Sequence, residues 1–396
     1  MQFIQAKRDA ILKPLQAVVG IIERRPLTPI LANVLLRRNG TDVSFLGCDS
    51  EIQIETSAPI GAGDGEAAGV TLSARKWLDI LRSLPEDADV SLALQDQRAT
   101  IRAGRSRFTL QTLEPGDFPV MASVTYTASF ELTQGQLRHL FRMAHFAMAQ
   151  QDVRYYLMGL LLVVDDRQVT AVATDAHRLS YCRTDLPGDD AAAPDEGTGA
   201  DAPAATRCEV ILPRKTVLEL QRLLADSDDP VHIDVAINQV RLRFGGLELV
   251  SRIVEGKFPD YQRVIPQGYQ RRIELPRDVL AASLARASVL TTDKFKGVRL
   301  SLSPGTLQIQ TTNAEQEEAV DEIEVGYDGE PLEIGFNVAY LLDVLANLDA
   351  ETVQLEFGDS GSSALLTIPG NDDFRYVVMP MRICPARPGR WWRILL

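Results

Sequence analysis

The feature that most constrains this chain is a threefold internal repeat. Amphipathic patterns over 75–85, 214–224 and 338–348 each place apolar residues at i, i+3, i+4 and i+7, the spacing of one buried helix face. Each is followed by an alternating, strand-like stretch, at 90–94, 231–235 and 353–357. Each copy then closes on a proline in an apolar setting: Pro119, Pro259 and Pro380. These prolines lie 140 and 121 residues apart, and the middle copy contains a 19-residue stretch, 188–206, rich in Ala, Asp, Gly and Pro and free of bases. With that stretch set aside, both intervals are 121 residues. Its composition lacks the apolar area to offset ordering entropy, so a disordered surface loop is expected there.

The front half of each copy repeats as well. Helices expected over 10–22, 134–148 and 276–290 precede pairs of strands that turn at Asn39-Gly40, Asp165-Asp166 and Pro304-Gly305. The pattern predicts an α+β fold of three similar domains, each with two helices and antiparallel sheets. The domains span 1–125, 126–268 and 269–383, followed by an atypical C-terminal tail, 384–396. A 45% hydrophobic content supports several cores, and no apolar run approaches the roughly 20 residues of a membrane span. The chain turns charged at Lys7 and Arg8, so no secretory leader is expected. Four scattered cysteines without a C-x-x-C pair argue against zinc or a disulfide framework and fit a reducing cytoplasm.

A net charge of −13, read alone, speaks against nucleic acid as a partner. Its distribution says otherwise. Helices expected over 5–22, 73–84, 134–148, 213–224, 276–290 and 336–348 carry thirteen bases, Arg82, Arg138, Arg142, Arg214 and Lys215 among them, against five acids. The helices therefore sum to +8 and the remainder to −21. Such segregation suits a helical surface that attracts phosphates without reading bases and a sheet surface that repels them. Repeated domains of this kind suit a ring with helices lining the hole, and closure would protect exposed sheet edges. A scaffold that binds peptides but not DNA has no need of the helical charge.

Catalytic patterns are missing: there is no H-E-x-x-H, G-x-S-x-G, G-x-G-x-x-G or Walker A sequence. Gly256-Lys257 ends like a phosphate loop, but Ser251 stands where the earlier glycine is required. The acidic run Glu315-Gln316-Glu317-Glu318, with Asp321 and Glu322, reads as a solvated loop or strand edge because no histidine accompanies it. Asp175, His177 and Ser180 have the residue types of nucleophilic chemistry. However, Asp175 and His177 lie too close along one strand for a relay to be assumed.

Ten stretches resemble the beta subunit of bacterial DNA polymerase III, the DNA sliding clamp family. They include Leu12-Lys13-Pro14-Leu15, Gly104-Arg105-Ser106-Arg107-Phe108, Gln151-Asp152-Val153-Arg154-Tyr155-Tyr156-Leu157 and Ala173-Thr174-Asp175-Ala176-His177-Arg178-Leu179. They continue through Lys257-Phe258-Pro259-Asp260-Tyr261, Phe295-Lys296-Gly297-Val298-Arg299-Leu300 and Tyr376-Val377-Val378-Met379-Pro380-Met381-Arg382. The resemblance implies the DNA-clamp fold and a head-to-tail homodimer that forms a six-domain ring around double-stranded DNA. It implies a non-catalytic processivity factor with no cofactor and no metal. It also implies a hydrophobic cleft for short linear motifs of the DNA polymerase III alpha subunit, the clamp loader and other replication and repair polymerases. Carried over by position, that cleft comprises Leu157, Thr174, Ala176, His177, Arg178, Leu179, Pro259, Arg263, Val264, Ser363, Val377, Val378, Met379, Pro380, Met381 and Arg382. His177, Arg178 and Arg382 are expected as its polar rim. Arg25, Gln151, Arg154, Tyr155 and Tyr156 are expected to face DNA beside the basic helices.

Three features depart from the family pattern. Ala176 stands where glycine is common, which is expected to narrow the cleft slightly. The acidic insertion is longer than usual, and the chain continues past Arg382-Ile383 into a tail with an apolar cluster of Trp391, Trp392, Ile394, Leu395 and Leu396.

Overall fold

The structure, a computed structural model, describes residues 1–24, 26–62, 67–165, 167–186, 207–292 and 295–382. Arg25, the expected loop 188–206 and the tail 384–396 lie outside the described residues. Among the described residues one order of elements, strand–helix–strand–strand–strand, occurs six times, twice in each third of the chain. Its helices are α1 (Arg8–Val19), α2 (Ala74–Ser83), α3 (Gln134–Ala144), α4 (Arg214–Leu223), α5 (Arg277–Ser288) and α6 (Val338–Asn347).

Each helix begins on the residue after a strand ends, as at Gln2–Lys7 before α1 and Arg271–Pro276 before α5. The helices are therefore shorter than the periodicity suggested, because the apolar alternation of the incoming strand runs straight into the helical pattern. Lys7 ends a strand, and α3 gives way to a 3-10 turn at His145–Ala147. The observed helices hold twelve bases against the same five acids.

The described chain forms two compact units. The first contains the described residues of 1–138 and 186–255. In it, one antiparallel sheet of twelve strands runs from Gln2–Lys7 to Ala128–Thr133. The sheet crosses from the first repeat to the second where Ile52–Ala58 pairs with Leu247–Arg252, in the register Ile54↔Leu249. α1 and α2 cover its inner face, where Phe45 and Trp77 stack at 5.8 Å between ring centroids. The second unit contains the described residues of 139–185 and 256–382. Here Arg178–Asp185 pairs antiparallel with Asn371–Val378, so the middle and last repeats share a sheet. A separate four-stranded sheet is ordered Glu318–Glu324, Thr306–Thr312, Gly297–Ser303, Leu332–Asn337.

Several helical arginines have an internal task. In the first unit Arg8 Nε donates to the Leu81 carbonyl at 2.7 Å, near the end of α2, and Arg75 Nη2 donates to the Ile22 carbonyl at 2.9 Å, just beyond α1. Arg222 reaches the Ala17 carbonyl at 2.8 Å. In the second unit Arg277, at the start of α5, donates to the Leu345 and Leu348 carbonyls at the end of α6, at 3.1 and 2.8 Å. Carbonyls in a helix's last turn lack intrahelical partners and carry the negative end of its dipole, so a guanidinium there is stabilising. Helical net charge thus overstates what is available to a phosphate.

Candidate functional site

The site grows from a tight turn. Thr174 ends the strand Gln168–Thr174 and Arg178 starts the next. Asp175 Oδ1 accepts from the amides of His177 at 2.9 Å and Arg178 at 3.0 Å. Thr174 Oγ1 donates to the Arg178 carbonyl at 2.6 Å and accepts from the Ala176 amide at 3.1 Å. Asp and Thr side chains commonly close turns in this way. The result holds Ala176 at φ +74°, in the left-handed region. There a Cβ costs roughly 1–2 kcal/mol, so a glycine at this position would relieve backbone strain as well as width.

The guanidinium of Arg178 locks this turn to the last repeat. It donates to Asp175 Oδ2 at 3.1 Å and to Asp343 Oδ2, on α6, at 2.6 Å. It also lies 4.4 Å from the centroid of the Tyr340 ring, a cation–π distance. Tyr376 lies beneath, fully buried, and its hydroxyl donates to the Tyr340 carbonyl at 2.8 Å. Burial pushes the Tyr376 phenol well above its ordinary range. His177 is exposed and its ring stacks on Tyr340 at 6.5 Å. Its carbonyl accepts from the Met379 amide at 2.8 Å, which carries the strand pairing one residue past Val378.

Beside the turn opens a cleft of about 250 Å³ with mostly apolar walls. Of the sixteen residues expected there, Leu157, Thr174, Ala176, Arg178, Leu179, Pro259, Val264, Val377 and Met379 line it. Seven do not. Val378 points to the opposite strand face from Val377, as strand alternation requires. Pro380, Met381 and Arg382 lie beyond the strand; Pro380 is half-buried and the other two are exposed. Arg263 is exposed and paired with Asp260 at 2.9 Å. Ser363 is half-buried just before the strand Ala364–Ile368, and His177 stays outside the wall. The expected rim needs one further correction. Arg178 is 8% exposed and bound to two carboxylates, so it braces the cleft instead of offering a free charge.

Four residues complete the wall: Arg154, Tyr156, Phe258 and Tyr261. Arg154 and Tyr156 were expected to face DNA. The loop bends toward the cleft because Asp152 grips Arg154: Oδ1 accepts from its amide at 2.8 Å and its Nε at 3.0 Å, and Oδ2 from Nη2 at 2.9 Å. These bonds hold the Asp152 carboxyl down at about 2. Phe258 and Tyr261 flank Pro259 in the Lys257–Tyr261 motif, which was the available signal for them. A larger recess of about 380 Å³, between 265–268 and the strands over 352–375, is walled mainly by polar groups such as Arg272, Glu356 and Asn371. It does not offer the apolar chemistry expected of the partner site.

The other expected DNA-facing residues divide into two groups. Arg82 and Arg138 are exposed, as are Lys13 and Lys76, and none has an ion pair among the described residues. Gln151 and Tyr155 are exposed as well. Arg142, by contrast, pairs with Asp349, and Lys215 with Asp49 and Glu23. Arg214 is half-buried at the start of α4.

The catalytic alternative is not assembled. Ser180 is buried and its hydroxyl donates to the Met143 carbonyl at 2.5 Å, while His177 faces Tyr340. Asp175 is occupied by the turn amides and Arg178.

Six copies of one strand–helix unit, with a braced apolar cleft sized for a few side chains, define a repeat-built binding protein of the DNA-clamp fold. Comparison with known proteins places it further. Family models for the N-terminal, central and C-terminal domains of the DNA polymerase III beta subunit match residues 1–122, 131–260 and 262–382. The chain belongs to the DNA polymerase III beta subunit family. It is 44% identical to the beta sliding clamp of Pseudomonas putida over 377 residues, 95% of this chain and 99% of that one. It is 39% identical to that of Escherichia coli over the same shares. The crystal structure of the DNA polymerase III subunit beta from Pseudomonas aeruginosa superposes with a TM-score of 0.89 at 43% identity, covering 97% of this chain and all of that one.

Proposed function

We propose that this chain is a DNA sliding clamp: two copies close head-to-tail into a ring that encircles duplex DNA without sequence preference. Through the cleft it tethers the DNA polymerase III alpha subunit, the clamp loader and other replication and repair polymerases by their short linear motifs. It acts in the cytoplasm as a processivity factor and not as an enzyme.

The observation that carries this reading is the cleft. Leu179, Val264, Val377 and Met379 form an apolar receptacle, and the Arg178 network preorganises it. A thioether is an adaptable wall for a partner leucine or phenylalanine. Weak binding at one site permits partner exchange, while a dimer offers two sites at once.

Two sheet edges support the head-to-tail closure. The strand Ser106–Leu113 pairs with Arg98–Ala103 along its length but with Ala68–Ser73 only at Thr112 and Leu113. Its open edge carries exposed Arg105 and Arg107. The strand Glu318–Glu324 ends its sheet, with Glu315 and Glu317 exposed just before it and Val320 exposed upon it. Open edges of opposite charge on one chain favour a heterologous, head-to-tail contact between two copies. Exposed Lys13, Lys76, Arg82 and Arg138 supply weak, sequence-blind attraction to phosphates. The test is primer extension by DNA polymerase III with its clamp loader on a primed circle. Addition of the chain should lengthen the product of each binding event, and unchanged product lengths would refute the proposal.

A further inference from the structure

We infer that the C-terminal segment of this chain, residues 383–396, is a built-in competitor that places its apolar cluster in the same cleft, an inference that rests on the cleft reading above. Three observations carry it. The described chain leaves the fold at the cleft itself: Met379 lines the wall, and the Met381 amide donates to the Gly335 carbonyl at 2.7 Å, which pins the exit only two residues farther on. Eight residues lie between Arg382 and the cluster that begins at Trp391. Extended, they span about 30 Å, ample to fold back on a point so near. Closing a loop of that length carries only a slowly growing entropic cost.

The segment also has the chemistry of the receptacle. Trp391, Trp392, Ile394, Leu395 and Leu396 match apolar walls of Leu, Val, Pro and Met. Its charged side chains are three arginines, Arg387, Arg390 and Arg393, on a chain of net charge −13. At the cleft, the Asp260 and Asp343 side chains remain 55% and 46% exposed even with their arginine partners in place. Their free oxygen lone pairs are acceptors for cations of an incoming segment.

A tethered ligand acts at an effective concentration of order mM. If the segment binds with a dissociation constant of roughly 100 µM, its presence weakens any competing peptide about tenfold. Partner motifs must then outcompete a resident occupant, which selects for the stronger or more concentrated partner.

The experiment uses the full-length chain with Trp391, Trp392, Ile394, Leu395 and Leu396 all changed to Ser, compared with the unaltered chain. Two fluorescein-labelled probes are titrated by polarisation: a peptide of residues 387–396, and an unrelated hexapeptide bearing Leu-Phe. The expected result is saturable binding of both to the serine variant, about tenfold tighter than to the unaltered chain. Binding should weaken when Met379→Ala is added. If the Leu-Phe peptide binds in a Met379-dependent way but the 387–396 peptide does not, the competitor is refuted and the cleft reading stands. Equal affinity of the Leu-Phe peptide for both chains refutes the competitor likewise. If neither peptide binds the serine variant, the cleft reading itself fails and the competitor with it.

Discussion

Arg178 and Asp343 stand 165 residues apart in the chain, yet the guanidinium donates to the carboxylate at 2.6 Å and ties the cleft turn to α6. Arg178 is nearly buried, so its charge depends on its two carboxylates for compensation. Asp343→Ala leaves Asp175 as the sole carboxylate partner. Because Asp343 is 46% exposed, the loss is expected to be about 1–2 kcal/mol, less than for a fully buried pair. Amide exchange in the turn should then accelerate roughly 5–30-fold. Unchanged exchange at His177 and Arg178 would show that the ion pair does not brace the turn.

Met379 and Leu179 both line the cleft, but they should respond differently to truncation. Met379 is 38% exposed, so Met379→Ala is expected to lower partner-peptide affinity by about 1–3 kcal/mol and leave thermal stability nearly intact. Leu179 is 2% exposed, so Leu179→Ala is expected to destabilise the fold by about 2–5 kcal/mol besides weakening the peptide. Calorimetric titration paired with thermal unfolding separates the two. Equal stability loss in both variants would contradict the assignment of Met379 to the open wall.

The contrast shows what a sequence discloses. Period and proline spacing located all six helices, because a helix buries one face and its apolar stripe recurs at a fixed interval. The start of the first helix was misplaced by two or three residues because Lys7 passes from strand to helix with no loop between. The task of Arg8, Arg75 and Arg277 was invisible, since each caps carbonyls 53 to 73 residues away. Nine of the residues carried over by position line the cleft and seven do not; Val378 is missing from the wall because side-chain direction is set by the pairing register. Arg154 and Tyr156 were assigned to DNA, and only the Asp152 clamp reveals that they line the cleft. Ala176 was legible as a departure, but its strain emerges only from φ.

The two open edges predict the oligomeric behaviour. Arg105→Glu with Arg107→Glu places like charges opposite the acidic strand and is expected to weaken self-association roughly 100-fold, equivalent to about 3 kcal/mol. Mixing that variant with a chain carrying Glu315→Arg, Glu317→Arg and Glu318→Arg should restore both interfaces of a mixed dimer, one with the native charges and one with the charges exchanged. Sedimentation of each variant alone and of the mixture reads the outcome. A dimer that survives the arginine reversal unchanged would exclude these edges as the interface.

Burial pushes the Cys182 thiol up from the ordinary 9.0 to about 12. Because the folded state holds the proton and the unfolded state releases it, stability is unaffected below pH 9. It then falls by up to about 1.4 kcal/mol per pH unit as pH rises toward 12. At pH 8.5 iodoacetamide should leave Cys182 unmodified in the native chain and modify it readily in guanidinium, as read by peptide mass spectrometry. Rapid native labelling would place that side chain outside the core.

The central claim is that retention on DNA is topological, since a chain of net charge −13 with a few exposed helical cations cannot hold duplex by tight contact. The most direct measurement loads the clamp on a nicked circle, removes free protein, and cuts the circle once at moderate salt. The account predicts that the clamp co-elutes with the intact circle and is lost from the linear product within the time needed to slide off its ends. A clamp that remains on linear DNA with unblocked ends would contradict encirclement and require a conventional DNA-binding surface.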